Sequence, residues 1–177
     1  TLNSRLFLKF LVLASIPFSA QARVRCAPEF NSNLPILSIE TFEQQKIGED
    51  DMPGLLMVTD NGATGKLNNS LEPFAPQNIY KIQMHVRGDF SQKFEKKQYL
   101  VKLVDDQGHA QPAPLLGFDS FDEWVFSSPV QDKSLMRDPV AYNLAARMSS
   151  RWTPKTRHFE LIVNCEYRGV YILVEGM

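Results

Sequence analysis

From Ile79 the chain alternates: Tyr80, Ile82, Met84 and Val86 are apolar, and Lys81, Gln83, His85 and Arg87 between them are polar. Successive side chains of an extended strand point to opposite faces, so this period of two predicts a strand with one face in a core. A second alternating run sets Tyr99, Val101 and Leu103 against Leu100, Lys102 and Val104. The polar stretch 88–97 joins the two runs, which predicts an antiparallel pair with a long connector. Earlier, 34–40 and 54–59 are short apolar runs with β-branched residues, and Pro35 marks the first of them as a starting or edge strand. Residues 60–77, rich in Asn, Gly, Ser and Pro, predict a loop.

The pattern then changes period. Val140, Leu144 and Met148 recur at four-residue spacing with Ala141 and Ala145 beside them, predicting a helix whose apolar stripe packs on the sheet. Asp138 is placed to cap its first amides, and Pro139 suits the first helical position, where a missing N–H costs nothing. Pro154 ends the exit. Phe159, Leu161 and Val163 alternate again, 164–169 turns, and 170–175 returns as a buried strand. The fold class expected is α+β: a mainly antiparallel sheet with one packed helix.

Composition adds a compartment. Arg5 and Lys9 precede the apolar run Phe10 to Phe18, and Ala20 and Ala22 form a small-x-small cleavage pattern, so 1–22 is expected to be a secretory signal peptide. The run is too short to span a bilayer, and Pro17 interrupts it. Residues 23–33 then serve as a linker to a domain over 34–177. Of the 19 basic residues, Arg5 and Lys9 leave with the leader, so 17 face 20 acidic ones, a balance that argues against nucleic acid as a partner. Export permits a disulfide between the two cysteines, Cys26 and Cys165, but their spacing leaves one bridge and two separate thiols equally open. The absent initiator Met, and a chain that stops at Val174-Glu175-Gly176-Met177 straight after an apolar run, give the expectation of a piece cut from a longer protein.

No Gly-rich phosphate loop, nucleophile elbow or HExxH motif is present, and the three histidines are scattered rather than spaced for zinc. Trp124 and Trp152 are expected as core anchors rather than stacking platforms. Charged residues at marked positions remain: Arg87-Gly88-Asp89-Phe90-Ser91 at a strand end, Lys96, Lys97 and Lys102 on or before the next strand, Asp132 and Arg137 at the helix start, and Glu175 at the end.

Seven blocks in order carry a family resemblance: Leu34-Pro35-Ile36-Leu37-Ser38-Ile39; Val86-Arg87-Gly88 with Ser91; Lys96-Lys97-Gln98-Tyr99-Leu100-Val101-Lys102-Leu103; Leu115-Leu116-Gly117; Trp124-Val125; Asp132-Lys133-Ser134-Leu135-Met136-Arg137; and Tyr167-Arg168-Gly169-Val170-Tyr171-Ile172-Leu173-Val174-Glu175. Together they resemble the spore-coat-protein-H (CotH) kinase family, whose members are atypical protein kinases of spore coats and secreted or surface proteins. The resemblance implies the N-terminal part of the domain, akin to a kinase small lobe, with ATP and a divalent metal such as Mg2+ as cofactors. It implies cofactor-binding roles for Arg87, Ser91, Lys96, Lys97, Lys102, Arg137 and Glu175, and puts the catalytic acids beyond Met177. Departures include Glu95 and Gln98 around the lysine pair, Asp138 after the Arg, and Cys165 at a turn position usually held by Gly.

Phosphoryl transfer needs fixed positive charge against the triphosphate, and Lys96, Lys97 and Lys102 compete for that role. The guanidinium fork of Arg87 suits phosphate or a carboxylate equally well. The function so implied is a secreted, periplasmic or cell-surface kinase acting on protein hydroxyls, with this piece inactive alone. The alternative is a non-catalytic extracellular binding or assembly module.

Overall fold

A computed structural model describes residues 27–176. The proposed leader over 1–22 lies outside the described residues, as does Cys26. Seven strands form a closed barrel: β1 (Ile36–Thr41), β2 (Met52–Thr59), β3 (Ile79–Arg87), β4 (Gln98–Leu103), β5 (Glu123–Ser127), β6 (Thr156–Val163) and β7 (Glu166–Glu175). The order around the barrel is β6-β7-β5-β4-β3-β2-β1. Every neighbouring pair is antiparallel except β1 and β6, whose parallel pairing of Leu37 with Leu161 and Ile39 with Val163 closes the ring. Between β5 and β6 lies one helix, α1 (Arg137–Met148).

The alternating patterns decide which face of each strand turns inward. Ile82, Met84 and Val86 of β3 and Tyr99, Val101 and Leu103 of β4 point inward and are buried, as are Phe159, Leu161 and Val163 of β6. Aromatic rings fill the centre: Phe126 meets Phe159 edge-on at 4.9 Å, and Tyr99 stacks on Tyr171 at 6.3 Å. β1 and β2 approach closely at Gly54, where a Cβ would stand 2.9 Å from the Glu40 carbonyl oxygen, so only glycine fits that crossing. Asn164 and Cys165 form the β6–β7 turn with φ of 49° and 70°, the left-handed conformation a two-residue hairpin requires. The Asn164 side chain accepts the Thr41 amide at 2.9 Å, tying the turn to the end of β1.

The expectation of a small-lobe sheet with a packed helix is corrected here: among the described residues the fold is mostly β, a closed barrel with one short helix. The stripe Val140, Leu144 and Met148 does not pack on it; these residues are 55%, 54% and 77% exposed, and α1 has no buried residue. The periodicity predicted the helix but not which side would face the sheet. Tyr142, on the opposite side, meets the outer face of the barrel together with Leu135, against Leu100, Val125, Ile172 and Val174. The cap is also different. Asp138 lies within the helix, and the carboxylate of buried Asp132 instead accepts the Arg137 amide at 2.8 Å and the Ser134 hydroxyl at 2.6 Å. These hydrogen bonds, Ser134 first, hold the Asp132 carboxyl below its ordinary range. Trp124 is fully buried as expected, whereas Trp152 is 54% exposed just beyond α1.

Candidate functional site

Strand direction decides which charges meet. β1, β3 and β6 end, and β4 and β7 begin, at one mouth of the barrel. The connections 42–51 and 88–97 and the turn at Asn164 and Cys165 therefore gather there. Between them opens a cleft of about 520 Å³ whose lining includes Lys46, Lys97 and Arg168 as cations, Glu95 and Glu166 as anions, and Tyr99 at its floor.

Lys96, one residue ahead of the cleft wall, turns towards the terminal hairpin. Its ammonium donates to the Val170 carbonyl at 2.6 Å and lies 4.5 Å from the centre of the Tyr171 ring, a cation–π contact. Burial lowers its pKa, and the Glu160 charge partly opposes that. Glycine is favoured next to it because Gly169 has φ of +86°, a conformation L side chains rarely adopt. The Lys97 ammonium donates to the Gln92 carbonyl and so folds the connector onto itself, while the Lys97 carbonyl accepts the Tyr171 hydroxyl at 2.9 Å. Arg168 pairs with Glu166 across 2.5 Å. Buried Glu160 accepts from the Ser32 hydroxyl at 3.0 Å and from the Tyr167 hydroxyl at 2.6 Å, and burial with that bond pushes the Tyr167 hydroxyl up to about 12.

Of the nominated residues, Arg87 ends β3 at this mouth, opposite Gln98, and Ser91 opens a short turn in the same connector. They share this mouth and connector with Lys96 and Lys97, but of the four only Lys97 lines the cleft. Lys102 does not join them. It lies five residues along β4, about 16 Å away at strand spacing, on the outer face 3.5 Å from Asp51. His85 hydrogen-bonds that same carboxylate, and this bond, more than the Lys102 charge, lowers the Asp51 pKa. Arg137 opens α1, with its Nε 3.8 Å from Asp132. Glu175 ends β7 at the opposite mouth, roughly 30 Å from the cleft, where its buried carboxylate accepts the Lys155 amide at 2.9 Å. Sequence reasoning missed Lys46, which sits in a connector without periodicity, and passed over Arg168 although its block was in view.

Three cations from three chain segments around a concave floor suit a phosphate or another compact polyanion. Among the described residues no group of three His, Cys, Asp or Glu side chains is placed to hold a metal ion, and no helix is long and apolar enough to cross a membrane.

No curated protein matches the chain. The family model described as CotH kinase protein matches residues 84–177. That stretch runs from the middle of β3 through the lysine connector, β4, β5, α1 and the terminal hairpin. It contains every nominated residue but leaves out β1, β2 and Lys46. With more than half its length so matched, the chain belongs to the CotH kinase protein family.

Proposed function

We propose that this chain supplies the phosphate-holding part of an exported kinase that transfers the γ-phosphoryl of ATP to protein hydroxyls. The observation that carries the reading is the cleft at the barrel mouth, where Lys46, Lys97 and Arg168 converge within a segment largely inside the family match. ATP would bring the electrophilic phosphoryl group. Lys97 and Arg168 would neutralise and orient its phosphates, Arg168 exchanging Glu166 for the ligand, and Lys96 would hold the hairpin in register beneath them. We assign binding rather than bond-making to these residues. A divalent metal finds no protein ligand set among the described residues. Export fits a second observation: Cys165 is disulfide-bonded, a state that persists in secreted, periplasmic or surface proteins.

Thermal unfolding with ATP, pyrophosphate and adenosine tests the reading. A site-specific ligand at about 100 times its Kd adds about 2.7 kcal/mol of stability, so ATP and pyrophosphate are expected to raise the Tm by several degrees, and adenosine much less. Arg168→Ala, at the surface, should abolish the rise while leaving the unliganded Tm nearly unchanged, and Lys97→Ala should abolish it from a somewhat lower unliganded Tm, since the bond to the Gln92 carbonyl is lost as well. No rise with either phosphate compound, or a rise that both variants retain, ends the proposal. The second reading, a non-catalytic binding or assembly module, is favoured by the exposed apolar side of α1.

A further inference from the structure

The apolar stripe of α1 forms one wall of a groove. Met136, Val140 and Leu144 line it together with Arg147, and His158 of β6 stands on the far wall, enclosing about 550 Å³. His158 is fixed there by a 2.8 Å hydrogen bond from its Nε2 to the Leu135 carbonyl. At 100° per residue, Arg137, Val140, Leu144, Arg147 and Met148 fall within an arc of about 100°. The apolar centre is thus bracketed by arginines, with Arg151 and exposed Trp152 just beyond. Among the described residues Arg147 and Arg151 have no ion-pair partner, Arg137 keeps only a 3.8 Å contact with Asp132 and is otherwise exposed, and Asp138, the one acidic residue of the helix, lies off this arc. Half-exposed large apolar side chains in one contiguous row mark an interaction surface.

We infer that this groove seats an amphipathic helix from another polypeptide, with apolar anchors one turn apart and acidic residues at both ends. Arg137 and Arg147 lie about 15 Å apart along the axis, which sets the spacing of the acids it would take. The charge decides against a second copy of this chain: a two-fold pairing would place the arginine-bracketed stripe against itself. The inference is independent of phosphate binding at the barrel mouth, because the groove lies on the outer side of the barrel and its readout is binding alone.

The test uses an acetylated, amidated helical peptide of about 18 residues with Leu at one-turn spacing and Glu at the flanks, labelled for anisotropy, and a twin with every Glu replaced by Lys. The Glu peptide is expected to bind saturably, at least about tenfold more tightly than the Lys twin, and to weaken when salt rises from about 50 mM to about 500 mM. Leu144→Asp should weaken it about tenfold or more, and Arg147→Glu should shift preference towards the Lys twin. Both side chains are exposed, so circular dichroism should show the fold retained. Equal binding of both peptides, no binding, or indifference to both variants overturns the inference. So does self-association in sedimentation that Leu144→Asp dissolves, or binding to phosphatidylglycerol vesicles that the Glu peptide does not displace.

Discussion

Tyr171 shows how much a single side chain joins. Its ring is fully buried between Tyr99 and Phe159, carries the Lys96 ammonium on one side, and donates its hydroxyl to the Lys97 carbonyl at 2.9 Å. Burial, with the nearby Tyr99 hydroxyl, raises its pKa well above the ordinary 10.0. An acid whose folded value lies above its unfolded one gives its full stability below the unfolded value and loses it as pH climbs through the gap. The urea midpoint should therefore fall from about pH 10 upward, and more steeply in the wild type than in Tyr171→Phe. At neutral pH the same variant should cost about 1 kcal/mol for the lost hydrogen bond. Equal alkaline slopes would show that this hydroxyl is not the titrating group, although Tyr99 and Tyr167, also raised by burial, contribute to the fall in both proteins.

Among the elements, α1 separates local pattern from tertiary placement. A four-residue apolar spacing is a sound reason to expect a helix, because it lines one side of a 3.6-residue turn. It does not say what that side meets. The outer barrel face offers a small apolar patch of Leu100, Val125, Ile172 and Val174, already shared with Leu135, and Tyr142 is long enough to complete it. The prediction is a reversal of the usual ranking. Leu144→Asp should change stability by less than about 1 kcal/mol, whereas Tyr142→Ala should cost about 1–2 kcal/mol. Chemical denaturation of the two variants checks this, and a large loss from Leu144→Asp would mean that the stripe is packed after all. The start of the helix has the same character: Asp132, five residues ahead of Arg137, reaches the first amide in place of Asp138. A loop that folds back brings in a cap that inspection of adjacent positions passes over.

The whole molecule is held by closure. The ring is completed only where β1 lies parallel to β6, more than a hundred residues later in the chain, and Asn164 of the late hairpin bonds Thr41 at the end of β1 across the same seam. At this scale the disulfide at Cys165 matters, since a cross-link made from the β6–β7 turn restricts the unfolded chain. Disulfides typically contribute about 2–4 kcal/mol, so protein recovered from an oxidising compartment should unfold at a clearly lower urea concentration once reductant is added. Identical transitions with and without reductant would count against both the stabilising role and the proposed export.

Six of the seven barrel strands, the helix and the hairpin turn were legible in residue order, because side-chain alternation, helical spacing and turn residues are set by local geometry; β5 was not, since Trp124, Val125 and Phe126 follow one another without alternation. That Arg87, Ser91, Lys96 and Lys97 share one connector follows from chain order alone, whereas which of them reaches the cleft does not. Pairing across the chain was not legible. Barrel closure, the outward turn of the α1 stripe, the entry of Lys46 and Arg168 into the cleft, and the separation of Lys102, Arg137 and Glu175 from it all depend on which distant strands lie side by side. That choice is made by the summed burial of the interior, to which each local pattern contributes but which none of them specifies alone.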